Sequence, residues 1–134
     1  MSALDVQIDG SHYKNIKIQP IELAYKLGAS PAFCKLAKYI SRQKNDKKIN
    51  LQKAIHCIQL ENELYDKYDP YEDSSQCALT QGYTYDWTNS VAEFCSQFTE
   101  SKEFYDALYY MYLNEYEYAI IAVKNYASEL GIEL

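Results

Sequence analysis

Glycine and proline are scarce in this 134-residue chain, which holds four Gly (10, 28, 82 and 131) and three Pro. Glycines spread that thinly leave no GxxxxGK[ST] loop and no glycine-rich phosphate cradle. GxSxG, HExxH and paired Cys/His spacings are missing too, so the familiar hydrolase and zinc-peptidase signatures do not apply. The four cysteines, Cys34, Cys57, Cys77 and Cys95, form no CxxC pair. That pattern argues for free thiols in a reducing compartment and for no metal centre. No apolar run is long enough to span a bilayer, and no amino-terminal apolar segment reads as a signal peptide. The expected location is therefore cytoplasmic, with no membrane partner.

Positive charge is missing from one half only. Residues 66–134 hold three Lys/Arg against thirteen Asp/Glu, a net −10, whereas residues 1–65 hold ten against six, a net +4. Phosphate would repel the acidic half, so binding of duplex nucleic acid by the whole chain is not expected. A localised cationic site for a small anion is compatible with the same numbers.

Tyrosine is what the chain has in excess, 15 residues, most of them in the second half. Tyr is amphipathic and suits half-buried surfaces as well as cores. Around these residues the apolar spacing predicts an all-α fold. A short extended arm over residues 1–19 leads to a short helix at about 20–27, opened by Pro20 and stopped by Gly28. Ser30-Pro31 is a stronger start, and Phe33, Leu36, Ala37 and Ile40 form one apolar stripe on a helix to about residue 43. Asn50 is a candidate cap for a second helix, about 50–66, antiparallel to the first.

Residues 66–88 read as a connector containing Tyr83–Trp87. Asn89 or Ser90 then caps a short helix through Phe98. Thr99 or Ser101 opens a long helix to about Leu130, with Gly131 as its stop. Apolar and tyrosyl residues go nearly all the way round that long helix, which suits burial between subunits, so a homo-oligomeric helical assembly is expected. The composition shift divides the chain into a helical domain, 1–66, and a Tyr-rich acidic helical region, 67–134, packing on the first and forming the oligomer interface.

The residues that carry chemistry lie in the basic half. Lys35, Lys38 and Arg42 share helical spacing, and Lys44, Lys47, Lys48 and Lys53 follow nearby. Arg offers a planar fork to two phosphate oxygens and Lys a mobile point charge. An isolated Lys/Arg stripe is ordinarily a solvated face, and a helical Tyr such as Tyr39 is ordinarily packing. His12 can serve as a phosphate ligand when protonated. Carboxylates near this group are few: Glu22, Asp46, Glu61 and Glu63.

The ordered blocks His12-Tyr13, Ile18-Gln19-Pro20-Ile21-Glu22, Lys38-Tyr39-Ile40-Ser41-Arg42 and Leu51-Gln52-Lys53-Ala54 resemble the nucleotide kinase-like family of small tailed-phage domains. The resemblance covers about residues 11–65, half of the chain. Asn45-Asp46 stands where that family usually has a glycine, and Asn50 where it commonly has an acidic residue. The resemblance implies a phage-encoded nucleotide-binding protein of the infected bacterial cytoplasm, a nucleoside monophosphate kinase-like phosphotransferase without a Walker motif. It implies His12, Lys38, Arg42, Lys44 and Lys53 as phosphate ligands, Tyr13 and Tyr39 as base contacts, and Mg2+ arriving with the nucleotide. Two other readings fit the same residues. One is a non-catalytic protein that sequesters a nucleotide or a cyclic-nucleotide signal of host defence. The other is an interaction protein acting through the Tyr-rich acidic half.

Overall fold

The computed structural model describes residue 3 and residues 16–43, 46–68 and 86–134. Among the described residues the chain is all-α, with six helices and no strand. They are α1 (Pro20–Leu27), α2 (Pro31–Ser41), α3 (Lys47–Tyr68), α4 (Trp87–Ser96), α5 (Lys102–Tyr112) and α6 (Tyr116–Glu129).

Helix α1 starts at Pro20, whose missing N–H costs nothing in the first turn, and ends where Gly28 takes φ +63°. The amides of Gly28 and Ala29 donate back to Tyr25 and Ala24, at 3.2 and 2.9 Å. This is the 5→2 and 6→1 pair of a Schellman stop. Ser30 caps α2 by accepting from the Phe33 amide at 3.1 Å, and Phe33, Leu36, Ala37 and Ile40 are all buried, as their spacing predicts.

The start of α3 is a correction. Asp46, not Asn50, caps it, accepting from the Lys48 and Ile49 amides at 2.9 and 3.3 Å, while Asn50 is buried one turn inside the helix. A carboxylate at the cap outcompetes a later Asn because it meets the unpaired amides and the positive end of the helix dipole together. Helix α4 likewise starts earlier than Asn89 or Ser90. The Asp86 carboxylate accepts from the Thr88 amide at 3.1 Å and from the Thr88 hydroxyl, and Ser90 is buried in the helix. Trp87 therefore belongs to α4 rather than to the connector, and its ring packs on Tyr109 and Tyr112 of α5, with centroids 5.2 and 4.6 Å apart.

The long carboxy-terminal helix is two helices. Asn114, at φ +63°, closes α5. The Asn114 and Glu115 amides donate to Met111 and Tyr110 at 3.1 and 2.8 Å, the same Schellman pair that Gly28 makes, here on an asparagine. The chain folds back, and each helix has its own inward face: Phe104, Ala107, Leu108, Met111 and Tyr112 on α5, and Ala119, Ala122, Val123, Tyr126 and Ala127 on α6. Two inward faces read as one helix produce the apolar surround, so that pattern carries no argument for a subunit interface.

The α2–α3 and α5–α6 pairs make the closest packing, α3 also lies on α6, and α2 on α5. One continuous core runs from Leu23 of α1 to Ala127 of α6. Two polar links join its edges. The Tyr112 hydroxyl donates to the Leu27 carbonyl at 2.9 Å. The Gln97 side chain accepts from the Ile18 amide at 2.7 Å and donates to its carbonyl at 3.0 Å, pairing with that residue as a strand neighbour would.

Candidate anion-binding face

Helix α2 displays Lys35 and Lys38 outward because its opposite stripe is committed to the core. Lys53 comes from the exposed face of α3, one turn before Cys57. The two helices bring Lys38 and Lys53 onto the same side chain. Their ammonium groups lie 5.2 and 5.5 Å from the centroid of the Tyr39 ring, within cation–π range. Tyr39 is half-buried, with its body packed on the core. The charges of Lys35 and Lys38 also reach the Cys34 and Cys57 thiols, partly offsetting the burial that raises both.

Arg42 is placed differently from the helical spacing. Helix α2 stops at Ser41, and Arg42 takes extended backbone at φ −67°, ψ 126°. Its Nε is buried and has no hydrogen-bond partner among the described residues. Lys47 is also redirected. Its Nζ donates to the Ile40 and Arg42 carbonyls at 2.8 and 2.9 Å, closing the end of α2, and stands 5.7 Å from the Tyr126 centroid. Burial pushes this amine down to about 8, so Lys47 is a structural clamp rather than a member of the exposed cationic group.

Among the expected site residues, then, Lys38, Tyr39 and Lys53 come together, and Arg42 stands at the end of α2. His12, Tyr13 and Lys44 lie outside the described residues. His56 is exposed on α3. No described carboxylate lies within ion-pair distance of Lys35, Lys38, Arg42 or Lys53.

The nearby acids are used elsewhere. Asp46 caps α3. Glu61 is buried, 8% exposed, and its Oε1 accepts from the Ser30 hydroxyl. The Tyr116 hydroxyl donates to Asn114 Oδ1 at 3.2 Å and interacts with the same carboxyl; burial, together with that carboxyl, pushes the Tyr116 hydroxyl up. Burial raises the Glu61 carboxyl above its ordinary range. Glu61 lies eight residues beyond Lys53, about 12 Å along the helix at 1.5 Å per residue. Among the described residues no group of three or more His, Cys, Asp or Glu is arranged to hold a metal ion. No described helix is long and apolar enough to cross a membrane.

Sequence reading passes over Ser30, Tyr116 and the burial of Glu61. The Ser30-Pro31 start signal marks one partner, but nothing local marks a tyrosine 55 residues beyond the glutamate as the other. Comparison with protein-family models, curated proteins and solved structures finds no match to this chain.

Proposed function

We propose that the α2–α3 face binds the phosphates of a nucleotide. The observation that supports this most is the meeting of Lys38 and Lys53 on Tyr39 with no described carboxylate within ion-pair distance. Two like charges held together without a counter-ion form a site short of negative charge, and a phosphate supplies it. The Tyr39 ring gathers the two ammonium groups, and Arg42 adds a planar fork whose Nε has no partner among the described residues. In this reading the chain is a phage-encoded, cytoplasmic nucleotide binder of the kinase-like family that its sequence blocks resemble.

Binding without turnover is the form that the geometry favours. Asp46 is committed to a helix cap and Glu61 to two hydroxyls, so neither is free beside the cations to activate an attacking hydroxyl. Mg2+ in such a site would arrive on the nucleotide phosphates, with phosphate oxygens as its main ligands. Sequestration of a nucleotide or cyclic nucleotide fits that arrangement better than phosphoryl transfer does.

The test is a thermal-shift panel of mono-, di-, tri- and cyclic nucleotides, since a ligand of the native state raises its midpoint by mass action. At least one nucleotide should stabilise the protein. Lys38→Ala with Lys53→Ala should weaken it by roughly tenfold or more per cation, the size expected for a lost charge-assisted bond. Unchanged affinity in that double variant, or no shift with any nucleotide, would remove the reading. Incubation with a nucleoside monophosphate, ATP and Mg2+ then decides between sequestration and transfer by whether diphosphate forms.

A further inference from the structure

At the other end of α3 from the lysines, the surface between the carboxy-terminal half of that helix and the start of α2 encloses a cavity of about 320 Å3. Leu64, Tyr65, Tyr68, Pro31 and Ala32 form most of its lining, with Glu61 and Ser30 as polar groups. A mostly apolar, aromatic-walled cavity of this size with a small number of placed polar groups has the composition of a small-molecule site. We propose that it binds a small organic monocation, an amine or amidinium on a flat apolar body, with the charge on Glu61 and the body between the tyrosines.

Three features choose a cation. First, a carboxylate accepts at about four lone-pair positions, and the Ser30 and Tyr116 hydroxyls occupy two of them at most. Second, no described cation lies within ion-pair distance of Glu61, and a buried carboxylate without a counter-charge is costly. Third, the wall belongs to the last turns of α3, where the helix dipole is negative and where Glu63 and Asp66, with the buried Glu61, outnumber the one cation, Lys67. Tyr65 offers a ring face that attracts a cation further, and Tyr68, whose ring already holds the Lys67 ammonium 5.2 Å from its centroid, serves as apolar wall. An anion meets repulsion from Glu61 and from the dipole, so this cavity and the lysine face select ligands of opposite charge.

The probes are benzamidine, its neutral amide benzamide and its anion benzoate, three flat molecules of the same size, measured by calorimetry on the full chain. Benzamidine should bind saturably, benzamide at least tenfold more weakly, and benzoate not at all. Glu61→Gln should abolish the preference of benzamidine over benzamide. Tyr68→Ala, at a side chain 63% exposed and outside the core, should weaken benzamidine several-fold while leaving the unfolding midpoint unchanged. Equal binding of benzoate, no binding of benzamidine, or full binding in both variants would overturn the proposal. Because Lys38 and Lys53 are intact in all of these proteins, the nucleotide response is read separately and neither result decides the other.

Discussion

Tyr39 does at the scale of one residue what neither lysine does alone: its ring lowers the cost of holding two ammonium groups about it. Tyr39→Phe keeps the ring and should retain nucleotide binding, whereas Tyr39→Leu should weaken it by an amount set by two exposed cation–π contacts, about 0.5–1 kcal/mol each. Equal affinity in both variants, measured by calorimetry, would show that the ring plays no part in placing the lysines. Glu61 gives a second test at this scale. Burial raises its carboxyl above the ordinary value of 4.5, so the native state holds that proton more tightly than the unfolded chain does. The contribution is complete below the ordinary value and is lost as pH rises through the raised one. Glu61→Gln has no proton to lose. Urea titrations across that range should show the wild type losing stability relative to the variant as pH rises, and parallel curves would contradict the burial of this acid. Much of this scale was not legible beforehand. Lys38 could be named from spacing, and Tyr39 and Lys53 from the sequence blocks they stand in, yet Lys47 looks like its neighbours in the sequence, and only the fold turns it inward to close α2.

Among the elements, the carboxy-terminal hairpin depends on one backbone position. Asn114 adopts a left-handed conformation that a β-branched side chain resists. Asn114→Val should therefore cost about 1–2 kcal/mol, while Asn114→Gly should stay within a few tenths, both read from urea midpoints. A tolerated valine would mean that the turn is not held at positive φ. The same motif explains which helices the sequence disclosed. Gly28 and Gly131 announce left-handed stops because glycine is the usual residue there. Asn114 makes the identical stop without that signal, and the apolar periodicity runs through it unbroken, so two helices read as one. Ser30 before Pro31 was readable for a related reason: a hydroxyl cap followed by proline is a local pattern that needs no tertiary partner. Asp46 and Asp86 cap as well as any serine, but each stands a few residues before a second plausible cap, and local sequence does not rank the two.

For the molecule as a whole, the boundary suggested by composition near residue 66 does not interrupt the core. Phe33 of α2 meets Tyr112 of α5 edge-on, with centroids 6.0 Å apart, Tyr112 bonds Leu27, and Gln97 holds Ile18. A chain ending at Tyr68 would lack Tyr112, the ring partner of Phe33, and the α5 and α6 faces on which α2 and α3 pack, and is expected to show no cooperative thermal transition by circular dichroism. The full chain should unfold in one step on both tyrosine fluorescence and helical signal. A fragment that melts cooperatively would establish two folding units.

Helix α3, 22 residues long, spans about 33 Å at 1.5 Å per residue. It begins with Lys47 and Lys48 and carries Glu61, Glu63 and Asp66 toward its end, charges that oppose the backbone dipole, while the Asp46 cap and Lys67 in the last turn complement it. Its electrostatics are mixed, and packing against α2 and α6 adds to what holds it. An anion near the lysines or a cation near Glu61 would each relieve part of that conflict. The helix is thus a strut that carries one proposed site toward each end, so that occupancy of either would be felt as added rigidity of the bundle it holds together.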